Sequence, residues 1–124
     1  MRTEHICRNF RLLGIFDAIA PAASQALSAL SKGNETKFHA LLAPTVPLSR
    51  LIFSAPTQYY KTGIVFLAWL NGFQDHFTMI AGAQSARPLP NFVEAFKLAE
   101  QAGLLLKPDV AVKRMKQLLA LYGL

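Results

Sequence analysis

Residues 64–70 are seven consecutive apolar positions with no polar face among them. A helix that is apolar on every side is normally buried. β-branched residues are few in this run (Ile64 and Val65), so the pattern predicts a central helix, opened near Lys61 and closed by Gly72. Upstream, "PAASQALSALSKG" reads as a helix with Pro21 in its first turn and Gly33 just past its end. Asn34 is placed to cap the next helix, "ETKFHALLA", by accepting from a free first-turn amide. Pro44 and Pro47 should break or kink that helix, because each removes a donor and crowds the preceding turn. "LSRLIFSA" continues to Pro56, and "RLLGIF", residues 11–16, is a short strand or a tight lead-in to the first helix.

Downstream, the small residues 81–86 predict a loop or a closely packed short helix, with Pro88 and Pro90 marking a turn. "NFVEAFKLAEQAG" is a helix capped by Asn91 and terminated by Gly103, with Phe92, Phe96 and Ala99 on one face. "KPDVAVKRMKQLLALYG" is the last helix, with Pro108 and Asp109 in its first turn. Its inner side is expected to be Val112, Met115, Leu119 and Tyr122, with Lys113, Lys116 and Gln117 facing water. The fold class is therefore all-α, with five to six helices and at most one short strand near residues 11–16.

The length of 124 residues fits one domain. An apolar share of 52% against 16% charged is enough for a core, with apolar surface to spare for something outside the chain. The balance of 13 basic to 7 acidic residues gives a net charge of +6, which favours anionic partners in general. The basic residues are scattered, in loose groups at Arg2, Arg8, Arg11 and at Lys107, Lys113, Arg114, Lys116, without interleaved aromatics. Nucleic acid is thus an unfavoured partner. A single cysteine, Cys7, excludes an intrachain disulfide and fits a reducing compartment. The opening residues carry no apolar leader segment, and no run approaches the 20 or so residues that span a bilayer, so a cytoplasmic protein with no membrane partner is expected.

Lys61 is the first candidate for chemistry. A Schiff-base lysine must be uncharged to attack a carbonyl, which requires desolvation or a neighbouring cation. Lys61 has an apolar run after it and two tyrosines before it. The plainer reading packs its stem along the helix and sends its ammonium to water. Asp75 and His76 are adjacent, and could cooperate only in a loop, since consecutive helical residues do not face each other. Tyr60, Asp75 and His76 are the substrate-binding candidates. His5 and Cys7 could both touch a metal, but two ligands without a second pair do not make a site. His39 reads as structural, and the glycines are too widely spaced for a phosphate loop. No cofactor and no metal are expected.

Four segments, "GIFDAIAPAASQALSALSKGN", "LLAPTVPLSRLIFSAPTQYYKTGIVFLAWLNG", "DHFTMIAGAQSARP" and the closing "LLALYGL", carry a resemblance. Together they resemble the C-terminal part of the dihydrodipicolinate synthase and N-acetylneuraminate lyase superfamily. They are most similar to an uncharacterised dihydrodipicolinate-synthase-like branch of bacterial proteins. The resemblance implies that residues 1–12 are an N-terminal arm and that residues 13–124 correspond to the last strand and the C-terminal helices of a (β/α)8 barrel. A whole barrel needs about 250 residues. The catalytic lysine and activating tyrosine of the superfamily lie on earlier strands with no counterpart here. Lys61 matches a lysine that opens a helix of the C-terminal appendage, so it is not expected to be the nucleophile. The implied role is barrel-covering or oligomer contacts within a Schiff-base aldolase or lyase acting on 2-oxo acids. The partner is a barrel-bearing chain, or another copy met through apolar helices. An independent helical protein-interaction domain is the alternative. A basic nucleic-acid binder using Lys113, Arg114 and Lys116 is the third reading.

Overall fold

The computed structural model describes residues 13–124, and side chains from residue 18 onward. The described chain is all-α: α1 (Leu13–Ser31), α2 (Glu35–Leu42), α3 (Val46–Ile52), α4 (Tyr60–Leu70), α5 (Leu89–Gln101) and α6 (Pro108–Leu121), joined by 3-10 turns at Ala43–Thr45, Thr57–Tyr59 and Ile80–Ala86. Leu13 to Phe16 lie in α1, so the strand considered for residues 11–16 is not formed over them; residues 11 and 12 lie outside the described part.

α1 bends at Ile19, whose φ/ψ of −119°/15° is not helical, and Pro21 falls in the first turn after the bend, where its missing donor is not needed. Asn34 caps α2 as expected, its Oδ1 accepting from the Lys37 amide at 3.0 Å. Of the two prolines after α2, Pro44 falls in the 3-10 turn and Pro47 in the first turn of α3, where its missing donor is not needed. Thr45, fully buried in the 3-10 turn, donates its hydroxyl to the Leu42 carbonyl at 2.7 Å. Gly33 and Gly103, at φ +75° and +68°, end α1 and α5 in the left-handed region that favours glycine, and each next amide reaches back to Ala29 or Ala99.

α4 is central, packing against α1, α3, α5 and α6. It buries Thr62, Gly63, Phe66, Leu67, Trp69 and Leu70. The helix is thus surrounded because its sequence offers no side to water. At Gly63 an added Cβ would lie 3.1 Å from Ile52 Cγ1, so the glycine lets α3 approach α4 closely. A second, smaller cluster forms where Ala26 of α1 meets Phe38 and Leu42 of α2.

Two details depart from the sequence pattern. α5 starts at Leu89 with Pro88 in the capping position. Asn91 is inside the first turn, its amide bonded to the Pro88 carbonyl, so it is not the cap. Pro90 suits that turn better than it suits a break. In α6 the buried residues are Ala111, Met115 and Leu118, while Val112 and Tyr122 are exposed. The inward face is rotated by about one residue, and Ala111 joins the main core in place of Val112. Lys113, Lys116 and Gln117 face water as expected. No single described helix is long and apolar enough to cross a membrane; only the pair 35–52 and 57–70 passes by composition, across a 114° bend.

Candidate functional site: a cleft under the 73–87 loop

The segment between α4 and α5 has little regular structure, yet it is tied down along its length. Arg87, 5% exposed, points its guanidinium at the end of α3 and donates to the carbonyls of Ile52 (3.2 Å), Ser54 (2.8 Å), Ala55 (3.3 Å) and Pro56 (3.2 Å). The last carbonyls of a helix have no partner within it, and Arg87 supplies donors there. Arg114 of α6 donates to the carbonyls of Trp69 and Gln74, the latter at 2.6 Å, and its guanidinium lies 5.8 Å from the Trp69 ring centre. Thr62 of α4 donates to the Ala83 carbonyl at 2.8 Å, and the Met79 amide donates to Gln84 Oε1 at 2.9 Å. Asn71, buried, clamps the α5–α6 connection by donating to the Leu104 carbonyl (3.1 Å) and accepting from the Leu106 amide (2.9 Å).

Beneath this loop lies an aromatic cluster. Phe77 stacks on Trp69 at 5.6 Å and meets Phe92 edge-on at 5.3 Å, and Phe66 is 5.0 Å from Phe92. Between the loop and the end of α6 an open cleft of about 570 Å³ has Trp69, Phe77, Phe92 and Leu118 in its floor and Asp75, His76, Gln84, Ser85, Gln117 and Tyr122 around it. That volume is in the range of small-molecule pockets.

Asp75 and His76 therefore do lie together, in a loop, on one rim of the cleft. His76 Nδ1 accepts from the Thr78 amide at 3.2 Å, which orients the ring. Tyr60 is not part of this cleft; it stacks on Phe53 at 5.1 Å. Lys61 is exposed in the first turn of α4, also away from the cleft. His39 stands edge-on to Phe38. His5 and Cys7 lie outside the described residues. Among the described residues no group of three or more His, Cys, Asp or Glu could hold a metal. The cleft brings hydrogen-bonding groups together over an aromatic floor.

Sequence reasoning passed over Gln84, Ser85, Gln117 and Tyr122 as cleft residues and Arg87 as a buried clamp. Arg87 did carry a signal: it is a lone charge closing an uncharged run of mostly small residues.

A model of the family described as a protein of unknown function (DUF993) matches residues 6–124. The chain belongs to this family. The match takes in α1 to α6 and the whole of the cleft. No curated protein matches the chain.

Proposed function

We propose that this DUF993 chain is the helical C-terminal part of a dihydrodipicolinate-synthase-like protein, serving to cover a barrel or make assembly contacts, and not catalytic by itself. The sequence resemblance supports the ancestry. The observation that carries the role is apolar surface left open on separate elements: Leu27 on α1 is 56% exposed, Phe73 67%, Ile80 95%, Leu106 45%, Leu121 83% and Leu124 78%. Single exposed leucines are ordinary, and this reading takes these residues as the surface that assembly covers. The covering group in this reading is a barrel, carried by the same or a companion polypeptide. The imine chemistry on 2-oxo acids then belongs to a lysine of that barrel. The compartment this reading assigns is the cytoplasm.

The test is the native mass of the polypeptide in its source cell, detected through an antibody against residues 115–124. A band the size of a whole barrel protein, or a barrel-bearing chain held in stable complex, is the expected result. A free 13.7 kDa chain with no such partner would overturn the proposal.

A second reading, an independent interaction domain, is favoured by one feature. The outer side of α6 has an open groove of about 520 Å³ lined by Asp109, Val112, Lys113, Lys116, Gln117 and Ala120. A mainly apolar floor edged by lysines suits an amphipathic helix with acidic borders. Arg114, in contrast, is held on the Trp69 and Gln74 carbonyls and is not presented beside Lys113 and Lys116, which weakens a phosphate-binding reading of this helix.

A further inference from the structure

The 570 Å³ cleft under the 73–87 loop has a wall that is already in place. The Thr62–Ala83 and Met79–Gln84 hydrogen bonds and Arg114 on the Gln74 carbonyl hold the loop, so little ordering is left for a ligand to drive. The rim is polar and largely unused. Asp75, Ser85 and Gln117 are exposed and Tyr122 is half-exposed, and among the described residues none of these four side chains takes part in a hydrogen bond or ion pair of the fold. Gln84 commits its Oε1 to the Met79 amide, which leaves its amide nitrogen as a donor.

Charge narrows the ligand. Asp75 is the only carboxylate in the lining, and no lysine or arginine joins it there, so an anion meets repulsion without a counter-charge. A cation fares no better. Arg114 sits on the Gln74 carbonyl, one residue along from Asp75, and offsets its charge. The Trp69 ring, the best kind of cation-π partner, already lies under that guanidinium and stacks on Phe77 at 5.6 Å. The same pairing disfavours a flat heterocycle that binds by stacking. Phe77 is engaged by Trp69 and meets Phe92 edge-on. The positive edges of paired rings suit oxygen atoms instead.

We propose that this cleft binds a neutral saccharide through Asp75, Gln84, Ser85, Gln117 and Tyr122, over the floor of Trp69 and Phe77. Each sugar hydroxyl both donates and accepts. The rim matches that, with a pure acceptor in Asp75, a donor in the Gln84 amide and groups of both kinds in Ser85, Gln117 and Tyr122. Asp75 accepts charge-assisted bonds from hydroxyls without needing a charged ligand. The site goes beyond the assembly role proposed above and does not rest on the barrel ancestry. A 2-oxo acid, the ligand that ancestry implies, is an anion that Asp75 repels.

The test titrates the full 124-residue chain, 15N-labelled, with glucose, galactose, N-acetylglucosamine and maltose. Trp69 is the only tryptophan, so its fluorescence reports on the floor of the cleft directly. At least one of the four sugars should give a saturable change with a dissociation constant of about 1 mM or below. The amide shifts should be confined to residues 75–78, 84–85 and 117–122. Asp75→Asn should raise that constant by about tenfold and Gln117→Ala by about fivefold, with circular dichroism unchanged because both positions are exposed. Pyruvate and choline, an anion and a cation, should leave the Trp69 signal unchanged at about 10 mM. The site is overturned if none of the four sugars moves the cleft resonances at about 10 mM, if pyruvate or choline binds more tightly than every sugar, or if sugar binding is indifferent to both substitutions. The cellular mass decides the barrel reading separately.

Discussion

Removing Arg87 is the sharpest test of how the loop is built. Its guanidinium is the common donor for four carbonyls, and only one of those bonds, to Ile52, is buried. Arg87→Met keeps most of the stem's packing and deletes the fork. The Ile52 carbonyl then loses a donor in the interior, worth about 2 kcal/mol. Ser54, Ala55 and Pro56 are half-buried or exposed, so water replaces the guanidinium there, at about 0.5 kcal/mol each or less. The expected loss is about 3 kcal/mol, a large part of the 5–15 kcal/mol typical of a domain. With an m-value of about 1.5 kcal/mol/M, the urea midpoint should fall by about 2 M at unchanged slope. Arg87→Lys separates geometry from charge. A lysine ammonium keeps the charge but cannot span four acceptors, so it should recover less than half of the loss. A midpoint shift under about 0.5 M for Arg87→Met would refute the clamp. Near-complete rescue by lysine would show that charge, and not the fork, holds the α3 end.

Other perturbations follow from the same contacts. Gly63→Ala gains helix propensity but drives a methyl against the stiff, buried Ile52 side chain; overpacking should win by about 1 kcal/mol, read as a lower urea midpoint. Asn71→Ala removes a donor and an acceptor at once from the α5–α6 connection and should lose about 2 kcal/mol, with amide exchange at Leu106 accelerated before that of α4. Asn34→Ala should lose about 1 kcal/mol through the missing α2 cap, visible as a lower melting temperature. Lys61→Ala, at an exposed site, should stay within about 0.5 kcal/mol of the parent, and borohydride with pyruvate should leave no adduct on Lys61 by peptide mass spectrometry.

The helices were legible in the sequence wherever one local rule was sufficient. The unbroken apolar run marked α4 as central, and Asn34, Gly33, Gly103 and Pro108 stand where their capping and turn chemistry placed them. The misses came where tertiary packing outranked local pattern. Asn91 looks like a cap, but Leu89 and Pro90 already start the helix. Val112 looked buried on helical periodicity, yet Ala111, Met115 and Leu118 form the inward face. The cleft was only half legible. Asp75 and His76 drew notice as reactive types, while Gln84, Ser85, Gln117 and Tyr122 reach it from segments up to 38 residues apart in numbering, a closeness no local pattern encodes.

The two arginines give the loop a definite mechanical status. Arg87 fixes its far end to α3, Arg114 fixes its near end to α4, and the aromatic floor of Trp69, Phe77 and Phe92 holds its middle. A loop needed only as a connection could be short and loosely held. This one is held by buried and half-buried charge-assisted bonds, then presents an isoleucine to water at a left-handed turn. Rigidity in the support with an apolar tip in solvent is the arrangement of a contact surface whose geometry matters. Arg87→Met should therefore disturb assembly as well as stability, whereas Ile80→Ser should disturb assembly alone. That contrast ties the fold's least regular segment to its proposed role more directly than any single residue does.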